Sequence, residues 1–230
     1  MSNLLNNTAL ERSPTVANSL MNRERGCLGG NSYQKELSFD IPDFLRSRLK
    51  TGKPVAWLDI CCGQGRALIE TVQLFSDRRT ASDLQITGID LAGMFLEFPA
   101  EQDFLRLIEI PFERFPAEGD FDLITSVHGL HYIGDKLAFL EKSVSLLKPD
   151  GLFLANLDPA NFKFAGRRPA ARSIIGKLRK RGFEYAARKH LLICRGKKEL
   201  KFDLAYLGAD DGAGPNYTGQ AAVDSFYDQG

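Results

Sequence analysis

One run restricts what this chain can fold into more than any other: Val55-Ala56-Trp57-Leu58-Asp59-Ile60-Cys61-Cys62-Gly63-Gln64-Gly65-Arg66-Ala67-Leu68-Ile69-Glu70. Val55 to Ile60 is almost continuously apolar, as expected of a strand covered on both faces. Gly63 and Gly65 remove side chains where the backbone must turn, and they let a ligand approach the main chain. Arg66 to Ser76 then places Ala67, Leu68, Val72 and Phe75 at helical spacing. The first amides of such a helix favour a negatively charged ligand group. Downstream, Gln85-Ile86-Thr87-Gly88-Ile89-Asp90 is a second apolar strand ending in an acid, well placed to accept the two hydroxyls of a ribose. Strand, glycine turn, helix, strand and acid in that order describe half of a nucleoside-binding sheet.

The rest of the chain continues the alternation. Leu105 to Ile110, Phe121 to Val127 and Leu152 to Leu157 read as further strands, and Pro111 ends the first of these. Asp135 to Leu147 reads as a helix, stopped by Lys148-Pro149-Asp150-Gly151. Ser38 to Lys50 is an amphipathic helix ahead of the first strand, and Arg172 to Arg181 is a basic one. Phe183 to Cys194 and Glu199 to Tyr206, joined by Arg195-Gly196-Lys197-Lys198, read as an antiparallel hairpin. The fold class is therefore α/β: a three-layer sandwich around a mostly parallel, seven-stranded sheet ending in an antiparallel hairpin strand. The expected organisation is an extension with lid helices over residues 1–50, the main domain over 51–207, and a tail or flap over 208–230. Residues 1–12 are expected to fray, and Asn18 to Gly26 to form a short helix stopped by glycine. Residues 18–33, with the glycine-rich loop from Cys27 to Tyr33, are either a surface extension or a lid over the cleft. The tail is either an irregular end or a second flap.

In the 230 residues no apolar run approaches the roughly 18 needed to span a bilayer, and the first fifteen residues lack a basic start and an apolar centre. The expectation is a cytoplasmic protein whose four cysteines, Cys27, Cys61, Cys62 and Cys194, are reduced thiols. Net charge is +1 but unevenly spread: between Lys163 and Lys201 stand fourteen Lys or Arg against Glu184 and Glu199. That segment is either a solvated face or a basic rim for an anionic substrate, an acidic carrier or RNA.

These motifs resemble those of class I S-adenosylmethionine-dependent methyltransferases, and the resemblance covers roughly residues 53–206. The first motif stands as Asp59-Ile60-Cys61-Cys62-Gly63-Gln64-Gly65, with Cys61 where the family has its first glycine. Phe121-Asp122-Leu123-Ile124-Thr125-Ser126-Val127-His128 matches the fourth-strand motif, and Leu147-Lys148-Pro149-Asp150-Gly151 resembles the turn before the fifth strand. The resemblance implies S-adenosylmethionine as cofactor, held by Asp59, Cys61, Cys62, Gly63, Gly65, Asp90, Leu91 and His128, with Glu109 near the adenine amine. The nicotinamide fingerprint is incomplete, since Leu68 stands where its third glycine belongs.

Methyl transfer needs positioning and, for a hydroxyl or ammonium acceptor, a base. His128 and His131, beyond the fourth strand, are the candidates; His131 reads equally as a packed residue. Tyr33, Asn31 and Tyr217 are candidate substrate contacts. No third ligand is spaced to make the histidine pair a metal site. The expected activity is methyl transfer to oxygen or nitrogen of a small molecule. RNA- or protein-directed transfer, and non-catalytic cofactor binding on the same fold, are the alternatives. The oligomeric state is not legible.

Overall fold

The computed structural model describes residues 4–17, 24–75, 83–98, 104–116 and 118–228. Ahead of the sheet come α1 (Asn7–Glu11), α2 (Pro14–Ala17), α3 (Tyr33–Leu37) and α4 (Ile41–Leu49). The nucleoside-type half follows as β1 (Val55–Ile60), α5 (Arg66–Gln73), β2 (Leu84–Asp90) and β3 (Leu105–Glu109). The second half contains β4 (Phe121–Ser126), α6 (Lys136–Ser145), β5 (Leu147–Asn156), β6 (Phe162–Phe164), β7 (Arg168–Pro169), α7 (Ala171–Lys180), β8 (Phe183–Ala186) and β9 (Leu191–Arg195). β10 (Ala205–Asp210) and β11 (Asp224–Asp228) close the chain.

Seven strands form the main sheet in the order β3-β2-β1-β4-β5-β9-β8. β3, β2, β1, β4 and β5 are parallel, and β9 runs antiparallel to both β5 and β8. The period-two alternation of β1 explains the layering. Trp57 faces the layer of α3, α4 and α5, with Tyr33, Leu37, Leu45, Leu68 and Val72. Leu58 and Ile60 face the layer of α6 and α7, with Leu137, Leu140, Ile174 and Leu178. Both faces of β1 are sealed, which is why its sequence shows no polar alternation apart from Asp59.

The expected hairpin is corrected. Phe183–Ala186 pairs with Leu191–Arg195, and the connection runs through residues 187–190, where His190 adopts a left-handed backbone at φ 48°. The run from Glu199 joins no strand of this sheet. The amide of Phe202 instead donates to Glu141 Oε1, and Ala205–Asp210 crosses to a second sheet. That sheet, of order β10-β11-β6-β7, overturns the expectation of an irregular tail: Asp224–Asp228 is its inner strand, pairing with β10 on one side and β6 on the other. The early residues do not merely fray either. Asn7–Glu11 is a helix capped by Asn6, whose side chain accepts from Ala9 N. Leu5 bridges to Ala209, and Leu10 packs with Ala209 and Val223. The two ends of the chain thus form one cap. Most of the helix expected over 18–26 lies outside the described residues.

Gly65 shows why the turn needs glycine. Its φ is +75° and a Cβ there would stand 2.8 Å from Leu107 Cδ1. Gly65→Ala is expected to cost about 1–2 kcal/mol for the left-handed backbone alone, with a further loss from displacing Leu107. A urea melt indistinguishable from the parent would overturn this.

Candidate active site

The carboxyl ends of β1, β2 and β4 open into a crevice lined by Cys61, Cys62, Gly63, Asp90, Leu91 and His128, with Ile110, Pro111 and Phe112 beyond β3. Asn7, Leu10 and Val16 of the amino-terminal cap and Gln220 of the tail also reach it. Three left-handed residues shape its floor: Cys61 at φ 62°, Gly63 at φ 59° and His128 at φ 60°. Cys61 therefore keeps the backbone of the glycine that the family motif carries there, in a conformation unusual for a residue with a Cβ.

Asp90 is the organising acid. Its Oδ2 accepts from Gly63 N at 2.9 Å and its Oδ1 from Ala92 N at 3.0 Å. A carboxylate has about four acceptor positions, so each oxygen keeps one beyond these bonds. The glycine turn and the β2 tip are thereby locked together at the lip of the crevice.

Other residues expected to bind cofactor are placed elsewhere. Asp59 is fully buried beneath the lining, accepting from Tyr33 Oη at 2.7 Å and Thr125 Oγ1 at 2.5 Å. Trp57 Nε1 donates to the same threonine at 2.8 Å, which obliges the threonine proton to point at Asp59. Gly65 caps α5 and packs on Leu107 rather than lining the crevice. Glu109 is outside the lining too, its carboxylate turned toward Gly93, while the neighbouring Ile110 and Phe112 line. Asp122 sits at the opposite, amino-terminal end of the sheet, accepting from Ala56 N and Lys148 Nζ. Asn31 is exposed on its loop, its carbonyl accepting from Gly26 N. Tyr33 does reach the crevice wall, and its hydroxyl is committed to Asp59.

Burial pushes the Asp59 carboxyl up to about 7, against the opposing pull of its two hydroxyl donors. A carboxyl raised in the folded state stabilises most below its unfolded value, near pH 4, and that contribution is lost as pH rises through about 7. The stability difference between the parent and Asp59→Asn is therefore expected to turn against the parent between pH 4 and about 7. Parallel urea melts across that interval measure it; a constant difference would refute the buried-acid account.

A partner of His128, and that partner's own partner, were not visible in the sequence. Glu36 Oε2, from α3, lies 3.0 Å from His128 Nε2, at ion-pair distance but without linear hydrogen-bond alignment. Arg25 Nε donates to Glu36 Oε1 at 3.2 Å, and Arg25 is itself part of the crevice lining. His128 holds the Glu36 carboxyl down at about 2. The glycine-rich stretch before Tyr33 thus leads into α3, which brings a carboxylate to His128. Neither Arg25 nor Glu36 belongs to a motif, and only the docking of α3 brings them in.

Tyr217 and His131, both expected at the site, lie behind His128 and outside the crevice lining, to which the tail contributes Gln220. Tyr217 stacks on His190 at 3.7 Å and 7°, meets His131 edge-on at 5.4 Å, and lies 6.1 Å from His128. All three histidines of the chain therefore converge under one tail residue. His131 is buried, and burial pushes its imidazole down to about 2, so it is neutral. The four cysteines form no disulfide. No helix among the described residues is long and apolar enough to cross a membrane.

A family described as a methyltransferase domain matches residues 58–153, the span from β1 to β5 that contains the glycine turn, Asp90 and His128. Over that span the chain is similar to a methyltransferase domain. A ubiquinone biosynthesis O-methyltransferase of Psychrobacter cryohalolentis is 32% identical over 126 residues, which is 50% of this chain and 45% of that protein. A demethylmenaquinone methyltransferase of Oceanobacillus iheyensis is 26% identical over 212 residues, 84% of each. Among solved structures, the N-methyltransferase NodS from Bradyrhizobium japonicum is 14% identical, with a TM-score of 0.48 over 84% of this chain and 98% of that one. The chain spans about half the length of the first of these relatives. Gln220, the tail residue that reaches the crevice, lies outside the matched span.

Proposed function

We propose that this chain transfers a methyl group from S-adenosylmethionine to an oxygen or nitrogen of a small molecule, with His128 as the base. The observation that carries the reading is Asp90. Its carboxylate is fixed at the crevice lip by Gly63 N and Ala92 N, with one acceptor position left on each oxygen for a ribose hydroxyl. The surroundings fit the rest of such a cofactor. Leu91, Ile110 and Phe112 offer an apolar slot for a flat base, the Cys62–Gly63 backbone accommodates the amino-acid end, and Arg25 stands in the lining as a cation for its carboxylate. When bound, the sulfonium supplies the activated methyl group.

The chain's own residues then have three tasks. Asp90 and the glycine turn orient. The lid helix and the two-ended cap exclude water. His128 takes the acceptor's proton, with Glu36 holding the ring and stabilising the imidazolium. With the cofactor bound, the acceptor's proton would pass to His128, leaving the acceptor atom's electron pair free for the methyl group that the cofactor would supply.

Calorimetric titration with S-adenosylhomocysteine tests the proposal. The parent is expected to bind it, and Asp90→Ala to weaken binding by about tenfold or more, the equivalent of one lost charged hydrogen bond. No heat or thermal shift at millimolar ligand would defeat the reading. The alternative of docking on RNA or an acidic protein through residues 163–201 has less support. Lys163, Arg167, Arg181, Arg195, Lys197 and Lys201 of that segment are each within ion-pair distance of an acid of this chain.

A further inference from the structure

We propose that Lys142 of α6 is a positioning residue for the cofactor: its ammonium holds the turn after β3 in place as one wall of the crevice, and the slot for the flat base keeps its width only while that cation is there. This rests on the methyl-transfer reading and assigns to it a residue that stands outside the crevice.

The turn is a partition between two cavities. Ile110, Pro111, Phe112 and Glu113 line the crevice. Behind them lies a second cavity, bordered again by Phe112 and Glu113 and by Phe139, Lys142 and Leu200. The backbone of this partition has few ties to the sheet. Ile110 N donates to Asp90 O at 3.0 Å, and the next residue, Pro111, has no amide hydrogen to continue the ladder. A single short turn follows, Phe112–Arg114. Its Arg114 pairs with Glu11 of α1 at 2.8 Å, but that guanidinium is exposed, and exposed ion pairs contribute little. Phe112 packs on Phe139 of α6 with ring centroids 4.8 Å apart, which locates one side chain and leaves the main chain of the turn to be held by polar bonds.

Lys142 supplies those bonds. Its Nζ donates to Phe112 O at 2.8 Å, to Glu113 O at 3.0 Å and to Phe115 O. The same ammonium stands over the Phe112 ring, 4.9 Å from its centroid. An ammonium has three donors, and Lys142 commits all of them to this one turn. The acceptors lie at and just past the carboxyl end of a helical turn, where carbonyls lack partners within the turn and a lysine can satisfy them.

The base slot is therefore fixed from behind. Leu91 borders it from the β2 side, and Ile110 and Phe112 from the turn. Without the ammonium the turn has the second cavity to move into, and Ile110 and Phe112 move with it. A slot that must reassemble around its guest binds less tightly than one already formed. The ribose end does not use this clamp, since the Asp90 carboxylate is fixed by Gly63 N and Ala92 N.

Calorimetric titration of the full chain tests the proposal with two ligands: S-adenosylhomocysteine, and methylthioadenosine, which keeps the base and ribose and lacks the amino-acid end. Lys142→Met keeps the stem and removes the charge. It is expected to weaken both ligands by the same factor, about tenfold, at a temperature where urea melts show the variant fully folded. Lys142→Arg keeps a cation with several donors and is expected to bind both within about threefold of the parent. Lys148→Met is the control for a purely structural loss. It gives up bonds to Pro54 O and Asp122 Oδ2 at the far end of the sheet, and is expected to lower the urea midpoint with both affinities unchanged. If Lys142→Met fails to fold, Lys142→Gln, which is neutral and keeps two donors, is expected to show a loss in the same direction. Affinities within about twofold of the parent in the neutral variant would overturn the proposal. So would a loss for S-adenosylhomocysteine that methylthioadenosine does not share, a loss that Lys142→Arg fails to reverse, or an equal loss in Lys148→Met. Failure of the parent to bind S-adenosylhomocysteine would instead defeat the underlying methyl-transfer reading.

Discussion

Replacing His128 by asparagine is expected to lower kcat by about a hundred- to ten-thousandfold, the usual contribution of a positioned base. Asparagine is the informative choice because His128 occupies the left-handed region at φ 60°. Asparagine enters that region more readily than other non-glycine residues, so the backbone that leads from β4 into the Gly129–Tyr132 turn is preserved. The substitution removes the ring nitrogen that faces Glu36 at 3.0 Å and leaves Asp90 and the glycine turn untouched. The loss should therefore fall on kcat, with S-adenosylhomocysteine affinity within about twofold of the parent. Single-turnover kinetics with an accepted substrate decide the matter. A variant that keeps its rate would show that the acceptor arrives already deprotonated, and would reduce His128 to a wall of the crevice.

The largest expected effect on stability belongs to Lys136→Ala. Lys136 is 1% exposed at the start of α6, and its ammonium donates to Ile133 O at 2.8 Å, Val223 O at 2.8 Å and Ser225 Oγ at 2.9 Å. Two of those acceptors belong to the tail, so one buried cation ties β11 and its approach to the main sheet. Next to it, Tyr227 Oη accepts from Leu137 N and donates to Asp135 Oδ1, adding a second tie. Truncation to alanine would leave buried carbonyls without a donor and open a cavity. Breaking a buried charged network from one side costs about 3–5 kcal/mol. Urea melts should register that loss, and limited proteolysis should cut the chain after residue 204 first. Lys136→Met restores the volume and should recover part of the stability, because the desolvation of the ammonium is relieved. A melt for Lys136→Ala within about 1 kcal/mol of the parent would show that the tail docks without this anchor.

On the proposed reading the tail bears on function through its contacts with the histidines beyond β4. Val223 N donates to His131 O, and Tyr217 covers the histidines from above. Destabilising the tail should therefore also loosen acceptor binding, whereas the Asp90 side of the crevice, built from β1 and β2, is independent of it.

What the amino-acid sequence determined by itself was the parallel half of the sheet and the glycine turn set against the acid at the tip of β2. The apolar runs of β1 and β2, the glycines at 63 and 65 and the acid at 90 are read locally, because a strand–turn–helix unit is stabilised by contacts between near neighbours and by backbone conformations that glycine alone adopts readily. The bond from Gly63 N to Asp90 Oδ2 closes over a single such unit. The surroundings of His128 followed no local rule. Nothing in the residues around Glu36 marks it as the partner of His128, since that contact exists only because α3 packs across the sheet. The hairpin was misread because the run from Glu199 has strand-forming residues yet finds a better partner in the second sheet; strand propensity does not name the strand to be paired with. Tertiary structure alone decided that His128, His131, His190 and Tyr217 meet, that Asp59 is a buried brace rather than a lining residue, and that the two chain ends share one cap. Each joins residues far apart in the chain. Their energies come from burial and from matching buried polar groups, quantities that only the assembled fold defines.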